Sequence, residues 1–244
     1  ALSPKERLIS IRQLLARFPS LTPQPTHAAT FSFSVQHVIR TGDAAPIRMA
    51  TRRRCPIDHD RIDVAITDML TKGIIIPSTS DWVSKPHLVK KDDGTFHFCI
   101  DFRPLNKVTI HDLYPLPRVD DLLDQLEGSH YFPSLDLASG YWQIPLKPSH
   151  AHKTAFRTRR GLFQFTRMPF GLSDVDNTFQ RMANSIFASL ISKGVLLVYL
   201  DDIFIHTAAW EDHLQTLAEV LACITKHNLQ LQWKKCRWGS TSLR

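Results

Sequence analysis

The sequence predicts a fold of the α+β class, and three observations lead to this prediction. The chain has 244 residues, enough for one large domain or two subdomains with a real core. Its 43% hydrophobic and 22% charged content is that of an ordinary globular protein. Helical and extended stretches follow one another in a mixed order, not in the regular strand–helix alternation of a doubly wound sheet.

The first half of the chain predicts two amphipathic helices and one hairpin. Apolar residues recur at helical spacing in two segments, and Asp93-Gly94 between extended runs is a strong hairpin signal. The predicted elements are, in order, a helix at 4–18, a linker at 21–26, extended chain at 30–50, a helix from Pro56 to Gly73, and strands at 87–91 and 95–101.

The second half predicts three helices and several short strands by the same periodicities. In order, these are a short helix at 119–126, a strand at 131–137, extended chain at 161–167, one helix at 174–192, a hairpin at 195–205, a helix at 211–227, and a closing strand at 229–233.

The hairpin at 195–205 carries two adjacent carboxylates, Asp201 and Asp202, between apolar runs. Because a buried strand interior disfavours acids, we expect the tight turn to hold both. Carboxylates at a strand tip suit hard divalent cations. An isolated Asp-Asp pair is more often a solvated acidic turn, so the pair alone leaves both interpretations open. Asp136 is a second candidate, since it ends another apolar extended run.

Charge and targeting signals narrow the class of protein. Thirty basic residues against 23 acidic ones give a net charge of +7, which suits a polyanionic partner. No apolar run approaches the roughly 20 residues needed to cross a bilayer, and the start has no signal-peptide pattern. Four cysteines without metal-ligand spacing fit a reduced compartment. We therefore expect an intracellular, cytoplasmic protein without a membrane partner.

Six short motifs, taken in their order along the chain, carry a family resemblance. They are CIDFRPLN at 99–106, YPLP at 114–117, LDLASGY at 135–141, TAFRT at 154–158, MPFGL at 168–172, and YLDD at 199–202. This set resembles the reverse transcriptase region of the Pol polyprotein of gypsy-type long-terminal-repeat retrotransposons, from about residue 40 to residue 239. One Tyr-X-Asp-Asp motif is weak support, whereas six collinear motifs are strong support.

The resemblance implies the fingers and palm of a right-hand polymerase, with a mixed or antiparallel palm sheet flanked by helices and no thumb. It divides the chain into an N-terminal helix and linker at 1–28, mainly fingers at 29–135, and mainly palm at 136–244. A fingers insertion is expected near 145–170, and the chain is expected to stop before the primer grip.

The implied function is RNA-directed DNA polymerase, which adds dNTPs to a primer 3′ end by two-metal phosphoryl transfer during retrotransposon replication. Asp136, Asp201 and Asp202 match the catalytic metal ligands, and two Mg²⁺ ions are expected, with Mn²⁺ as a substitute. The implied partners are an RNA or DNA template with its primer and dNTPs. The resemblance also implies a polyprotein in which a protease precedes this chain and an RNase H and an integrase follow it. The parent element is expected to form a virus-like particle.

Other positions match the family's binding residues one by one. Lys90 matches a lysine at the incoming triphosphate, and Tyr141 an aromatic that closes on the sugar 2′ position. Phe170 matches a residue near the 3′ side of the sugar. Arg103 and Asn106 match positions near the template strand, although a structural role is as well supported for both.

Two departures from the family pattern leave the activity of this chain open. His97 occupies a nucleotide-binding position at which the family has an Arg that binds the nucleotide phosphates. Asp176 replaces Pro at a helix start, where Asp is acceptable to the fold. The alternative function is therefore a catalytically decayed, nucleic-acid-binding remnant. An RNA-templated RNA polymerase is disfavoured by Tyr141, because a bulky side chain there excludes a ribose 2′-OH.

Overall fold

The computed structural model describes residues 3–21, 34–50, 53–90, 92, 94–138, 140–200 and 202–241. Most of the predicted linker, Asp93 of the predicted hairpin turn, and Asp201 lie outside this range. The helices are α1 (Pro4–Leu15), α2 (Pro56–Thr71), α3 (Arg103–Val108), α4 (Val119–Asp124), α5 (Pro148–Ala151), α6 (Val175–Ile186), α7 (Ala188–Ser192) and α8 (Trp210–Lys226). The strands are β1 (Ile75–Pro77), β2 (Lys85–Lys90), β3 (Phe96–Asp101), β4 (Ser134–Asp136), β5 (Phe156–Thr158), β6 (Gly161–Phe165), β7 (Leu196–Tyr199) and β8 (Asp202–Ile205).

These strands form three small antiparallel sheets. Their orders are β1-β6-β5, β2-β3 and β4-β8-β7. The β2-β3 sheet is the predicted hairpin, and it pairs Lys85 with Asp101 at one end and Lys90 with Phe96 at the other. Mixed helices with separate antiparallel sheets confirm the α+β class.

The β4-β8-β7 sheet shows why the acidic residues lie where they do. Alternate residues of a strand point to opposite faces. One face presents Leu135, Val198 and Ile203 to the core, all 3% exposed or less. The other face therefore presents Asp136 and Asp202, which are neighbours of these core residues in sequence. The apolar runs around the acids bury one face of the sheet and leave the carboxylates on the other.

Helices cover this sheet and complete the core. α6 contacts β7, and α8 contacts β8 and also α1. Leu217, Val220, Leu221 and Ile224 of α8 are fully buried. The guanidinium of Arg7 on α1 lies 5.1 Å from the ring centre of Tyr131 and 5.5 Å from that of Trp210. The N-terminal helix is thus packed against the same core as the acidic sheet.

Two predicted elements are wrong in detail. The single helix at 174–192 is broken at Phe187, which is fully buried and has φ −102° and ψ 13°, so that α6 and α7 are separate. The closing strand at 229–233 is absent from the described residues. Leu231 alone forms a bridge there, to Leu137, because the chain turns at 233–235.

One predicted helix has an exposure that the sequence pattern does not indicate. α4 forms as predicted, but it has no buried residue, and Val119 and Leu123 are 50% and 56% exposed.

Among the residues described, no helix is long and apolar enough to span a membrane.

Candidate active site

Asp136 and Asp202 lie directly opposite each other on the antiparallel strands β4 and β8. Directly paired residues point to the same face of a sheet, with Cβ atoms about 5 Å apart. The Asp136 side chain is 32% exposed, so solvent and ions can reach it. Asp201, the third predicted carboxylate, lies outside the described residues.

The position of Asp202 corrects the predicted turn. Asp202 is the first residue of β8 and pairs with Tyr199, so it belongs to the strand and not to the turn. Leu200 enters the turn with φ +54°, a left-handed conformation that is unusual for a residue with a bulky side chain. This reversal brings β8 back beside β7 and directs the Asp202 side chain toward Asp136.

One cation lies beside the two carboxylates. Lys235 Nζ is 3.4 Å from Asp136 Oδ2. Partial burial and the neighbouring Asp136 charge raise the pKa of Asp202, and Lys235 partly offsets the rise. Two acids held this close repel each other, and their site therefore favours a cation.

The backbone of Asp136 is fixed from the side of β4 that does not face β8. Gln232 N donates to Asp136 O at 2.8 Å, and Asp136 N donates to Cys236 Sγ at 3.4 Å. Ser134 and Arg237 exchange two backbone hydrogen bonds of 3.0 and 2.8 Å. The segment 230–237 thus holds β4 in place as a fourth strand of this sheet would, although it forms only isolated bridges.

A group of aromatic rings adjoins the acidic sheet. Phe170 is 41% exposed, and its ring centre is 5.1 Å from that of Tyr141 and 6.4 Å from that of His97. The rings of Phe179 and Tyr141 pack edge to face, with their centres 6.1 Å apart. The structure therefore brings together three of the four predicted nucleotide-binding residues, His97, Tyr141 and Phe170.

The fourth residue, Lys90, lies on a different face of its hairpin. Lys90 pairs with Phe96, and Val89 pairs with His97. Since neighbouring residues of a strand face opposite sides, the Lys90 side chain points away from the face that carries His97. The strand register therefore does not bring Lys90 together with Phe170 and Tyr141.

Arg103 and Asn106 already have partners within the protein. Arg103 donates from Nε and Nη2 to Asp101, both at 2.8 Å, and this hydrogen bonding lowers the pKa of Asp101 to about 2. Asn106 Nδ2 donates to Gly171 O at 2.8 Å, and Ser173 N donates to Asn106 Oδ1 at 2.9 Å. Asn106 thus secures the loop that follows Phe170.

Residues 89–244 match the family described as Reverse transcriptase (RNA-dependent DNA polymerase). The chain belongs to this reverse transcriptase family. The resemblance inferred from the six motifs is confirmed.

Curated relatives place this reverse transcriptase chain among retrotransposon polyproteins. It is 34% identical over 239 residues to the Retrovirus-related Pol polyprotein from transposon 297 of Drosophila melanogaster, covering 96% of this chain and 22% of that protein. It is 34% identical over 223 residues to the corresponding polyprotein from transposon gypsy of the same organism, covering 88% and 21%. The chain therefore spans about a fifth of the length of these relatives.

Solved structures agree on the fold. The foamy viral protease-reverse transcriptase in complex with RNA/DNA hybrid has a TM-score of 0.83 at 23% identity, covering 98% of this chain and 32% of that one. The native Prototype Foamy Virus Protease-Reverse Transcriptase has a TM-score of 0.84 at 24% identity, covering 97% and 32%. The reverse transcriptase fold expected from the motifs is confirmed.

Several residues that support the acidic sheet of this reverse transcriptase family member were not identified from the sequence. Buried Gln143 donates to Ala138 O at 2.7 Å and to Gln230 O at 2.9 Å, and it accepts from Gln230 N at 2.8 Å. It thereby ties the loop after Asp136 to the segment that supports β4. No sequence signal indicates this role of Gln143. The basic pair Lys234-Lys235 is apparent in the sequence, but nothing there indicates that Lys235 lies beside Asp136.

The donor set of this reverse transcriptase fits hard divalent cations. The side chains that meet at the sheet face are carboxylates, which Mg²⁺ prefers over nitrogen or sulfur ligands. Within the described ranges, no group of three or more His, Cys, Asp or Glu residues is arranged to hold a metal, but Asp201 is not among them. The geometric support for a metal site therefore comes from Asp136 and Asp202 alone.

Proposed function

We propose that this chain contains the nucleotide-adding site of an RNA-directed DNA polymerase that extends a primer 3′ end with dNTPs. The observation that supports this most is the direct opposition of Asp136 and Asp202 in a chain of the reverse transcriptase family. Two opposed carboxylates on an exposed sheet face are what phosphoryl transfer with divalent ions requires.

In this proposal Asp136, Asp201 and Asp202 hold two Mg²⁺ ions, which Mn²⁺ can replace. When bound, the ions supply positive charge to the attacking and leaving oxygens of the transfer. The chain itself contributes position more than proton transfer, since phosphoryl transfer depends mainly on alignment and electrostatics. The backbone bonds to Gln232 and Cys236 keep the Asp136 carboxylate in place.

The aromatic group is the proposed site for the incoming nucleotide. Phe170 and Tyr141 offer flat apolar surfaces to its sugar and base, and His97 adjoins them on the fingers hairpin. Lys90 stays a candidate for contact with the triphosphate only by its family match. A template with its primer is the proposed polyanionic partner, in keeping with the net charge of +7 and with the RNA/DNA hybrid in the foamy viral structure.

Roles for Arg103 and Asn106 at the template strand remain part of the proposal. Both side chains already make internal bonds, so they would act chiefly by shaping the fingers surface. The proposed division into fingers and palm follows the sheets, with β2-β3 in the fingers and β4-β8-β7 in the palm.

Primer extension on poly(rA)/oligo(dT) with Mg²⁺ and dTTP tests the proposal. We expect weak, non-processive extension by the chain. Asp136→Asn should lose about 10³-fold or more of this activity, because the side chain at position 136 would no longer carry a negative charge. Asp43→Asn, in an exposed turn, is the matched control and should extend normally. Extension that persists in Asp136→Asn would overturn the assigned chemistry.

A nucleic-acid-binding remnant is the second candidate. It is favoured by His97, which lacks the charge and the fork of Arg, and by the carboxylate of Asp176 next to Tyr141. In that case the chain binds primer–template tightly and with a strong salt dependence, yet shows no Mg²⁺-dependent dNTP binding. Filter binding over a range of salt concentrations, with and without Mg²⁺ and dTTP, separates the two.

A further inference from the structure

Asp176 makes a direct contact with the aromatic residue proposed to face the nucleotide sugar. The hydroxyl of Tyr141 donates a hydrogen bond to Asp176 Oδ1. Asp176 lies in the first turn of α6, whereas Tyr141 lies in the short 3-10 helix Gly140–Gln143. The bond joins two elements separated by 35 positions in the sequence.

The ring of Tyr141 is also held on its sides. Phe170 packs against it at 5.1 Å with an interplanar angle of 53°, and Phe179 meets it edge-on at 6.1 Å. Gly140 permits this approach, since a Cβ at that position would lie only 3.3 Å from Phe179 Cε2. Two rings thus restrain the plane of Tyr141, and Asp176 anchors the hydroxyl end.

The Asp176 carboxylate is suited to this task. Within the described part of the chain, no Lys or Arg forms a salt bridge with it, so no cation draws it away from the hydroxyl. Its charge is favoured by the N-terminus of α6. A hydrogen bond to an ionised acceptor is about twice as strong as one between neutral groups.

We propose that Asp176 is a positioning residue that locks Tyr141 against the sugar of the incoming nucleotide and so sets the discrimination against a ribose 2′-OH. This inference rests on the proposed polymerase function. Asp176 touches neither substrate nor metal in this scheme and acts through the tyrosine ring. A ring restrained by two neighbouring rings and also anchored at its hydroxyl cannot swing aside to admit the extra oxygen, whereas a ring held by packing alone can.

The carboxylate has a second, separable effect. A negative charge near the nucleotide disfavours the triphosphate of dNTP and rNTP alike. Removing the charge while keeping an acceptor should therefore lower KM for both nucleotides, and it should change their ratio less than removing the acceptor does. Removing the acceptor should change the ratio.

The experiment measures kcat/KM for dTTP and UTP on poly(rA)/oligo(dT) with the chain and four variants. These are Asp176→Ala, Asp176→Asn, Tyr141→Phe and the double variant Asp176→Ala with Tyr141→Phe. We expect Asp176→Ala to reduce the preference for dTTP about tenfold, mainly through the KM for UTP, which is the factor that one charge-assisted hydrogen bond contributes. Tyr141→Phe should reduce the preference for dTTP by the same factor as Asp176→Ala, and Asp176→Asn should keep most of the preference of the parent.

The double variant decides whether Asp176 acts through Tyr141. If it does, Asp176→Ala causes no further loss of discrimination when the hydroxyl is already absent. An unchanged preference in Asp176→Ala, or an equal loss with and without the hydroxyl, overturns the inference while the polymerase function stands. If the parent chain neither incorporates nor binds dTTP, the proposed function fails and this inference fails with it. Thermal unfolding of each variant confirms that the comparison is between folded proteins.

Discussion

Asp136 and Asp202 face each other across an antiparallel strand pair, and Lys235 Nζ lies 3.4 Å from the Asp136 carboxylate. The lysine therefore neutralises part of the charge that a bound divalent cation would neutralise more fully. Lys235 is itself 68% exposed, so it can leave without a large loss of burial.

Magnesium should stabilise the chain through these carboxylates. At a concentration about 100 times the dissociation constant, a ligand that binds only the folded state adds about 2.7 kcal/mol to the free energy of unfolding. We expect Mg²⁺ to raise the Tm of the chain and of Asp43→Asn, but not of Asp136→Asn. Differential scanning calorimetry measures the shifts, and an equal rise in Asp136→Asn would contradict the site.

Lys235→Ala should have opposite effects without and with metal. Without Mg²⁺, loss of an exposed partner lowers the stability by no more than about 1 kcal/mol. With Mg²⁺, the stabilisation should exceed that of the parent, because the ion no longer competes with an ammonium group. Lys234→Ala is the neighbouring control, and a smaller response to Mg²⁺ in Lys235→Ala than in the control would show that the lysine does not compete.

Restoring arginine at position 97 should improve nucleotide binding. Arg carries a permanent charge and two parallel donors for phosphate, and the imidazole of a histidine does not offer this pair of donors. We expect His97→Arg to lower KM for dTTP about tenfold with little change in kcat. Steady-state kinetics measure it. His130→Arg, at an exposed position outside the β2-β3 hairpin, is the control and should leave KM close to that of the parent.

Lys90→Ala should affect nucleotide binding only weakly. The strand register directs Lys90 away from the face that carries His97. We therefore expect a change in KM of about twofold or less, in contrast to His97→Arg. A tenfold increase of KM in Lys90→Ala would mean that the side chain reaches the triphosphate in spite of its face.

Asn106→Ala should lower stability, because both ends of the Asn106 amide hold the loop at 171–173. Loss of these bonds leaves Gly171 O and Ser173 N to water, and each bond contributes a net of about 0.5–1.5 kcal/mol to stability. Urea denaturation measures this loss. Lys107→Ala, at an exposed position of the same helix, should change stability by about 0.5 kcal/mol or less. Equal effects of the two variants would refute the structural role.

Arg103→Ala should change the acid stability of the chain. Hydrogen bonds from Arg103 lower the pKa of Asp101 from its ordinary 3.8 to about 2. A carboxyl whose pKa is lower in the folded state contributes stability above pH 3.8, and this contribution disappears as the pH falls to about 2. In Arg103→Ala the pKa of Asp101 should move back toward 3.8, which NMR titration of its carboxyl carbon measures. A pKa that stays near 2 would assign the shift to another group.

The local elements were predictable because they depend on neighbours in sequence. The β2-β3 hairpin follows from strand runs around Asp93-Gly94, and α2 and α8 follow from their apolar periodicity. The break at Phe187 was not predictable, since the apolar spacing continues through it and only packing in the core interrupts the helix. The strand predicted at 229–233 does not form because the chain turns at 233–235 and leaves only isolated bridges to the β4 region, and the alternation of apolar residues does not indicate that turn.

For the candidate site, the sequence by itself determined which side chains are available and which family they belong to. The acids Asp136, Asp201 and Asp202 and the aromatic residues were identified from motifs whose order is a property of the chain. Tertiary structure alone decided which of them meet. Strand pairing placed Asp202 opposite Asp136 and turned Lys90 away from His97. The packing of α6 against the 3-10 helix Gly140–Gln143 brought Asp176 to the Tyr141 hydroxyl. A strand reverses the direction of its side chains at every residue, so a register difference of one position decides which face a side chain occupies. Register and helix packing both depend on partners far away in sequence.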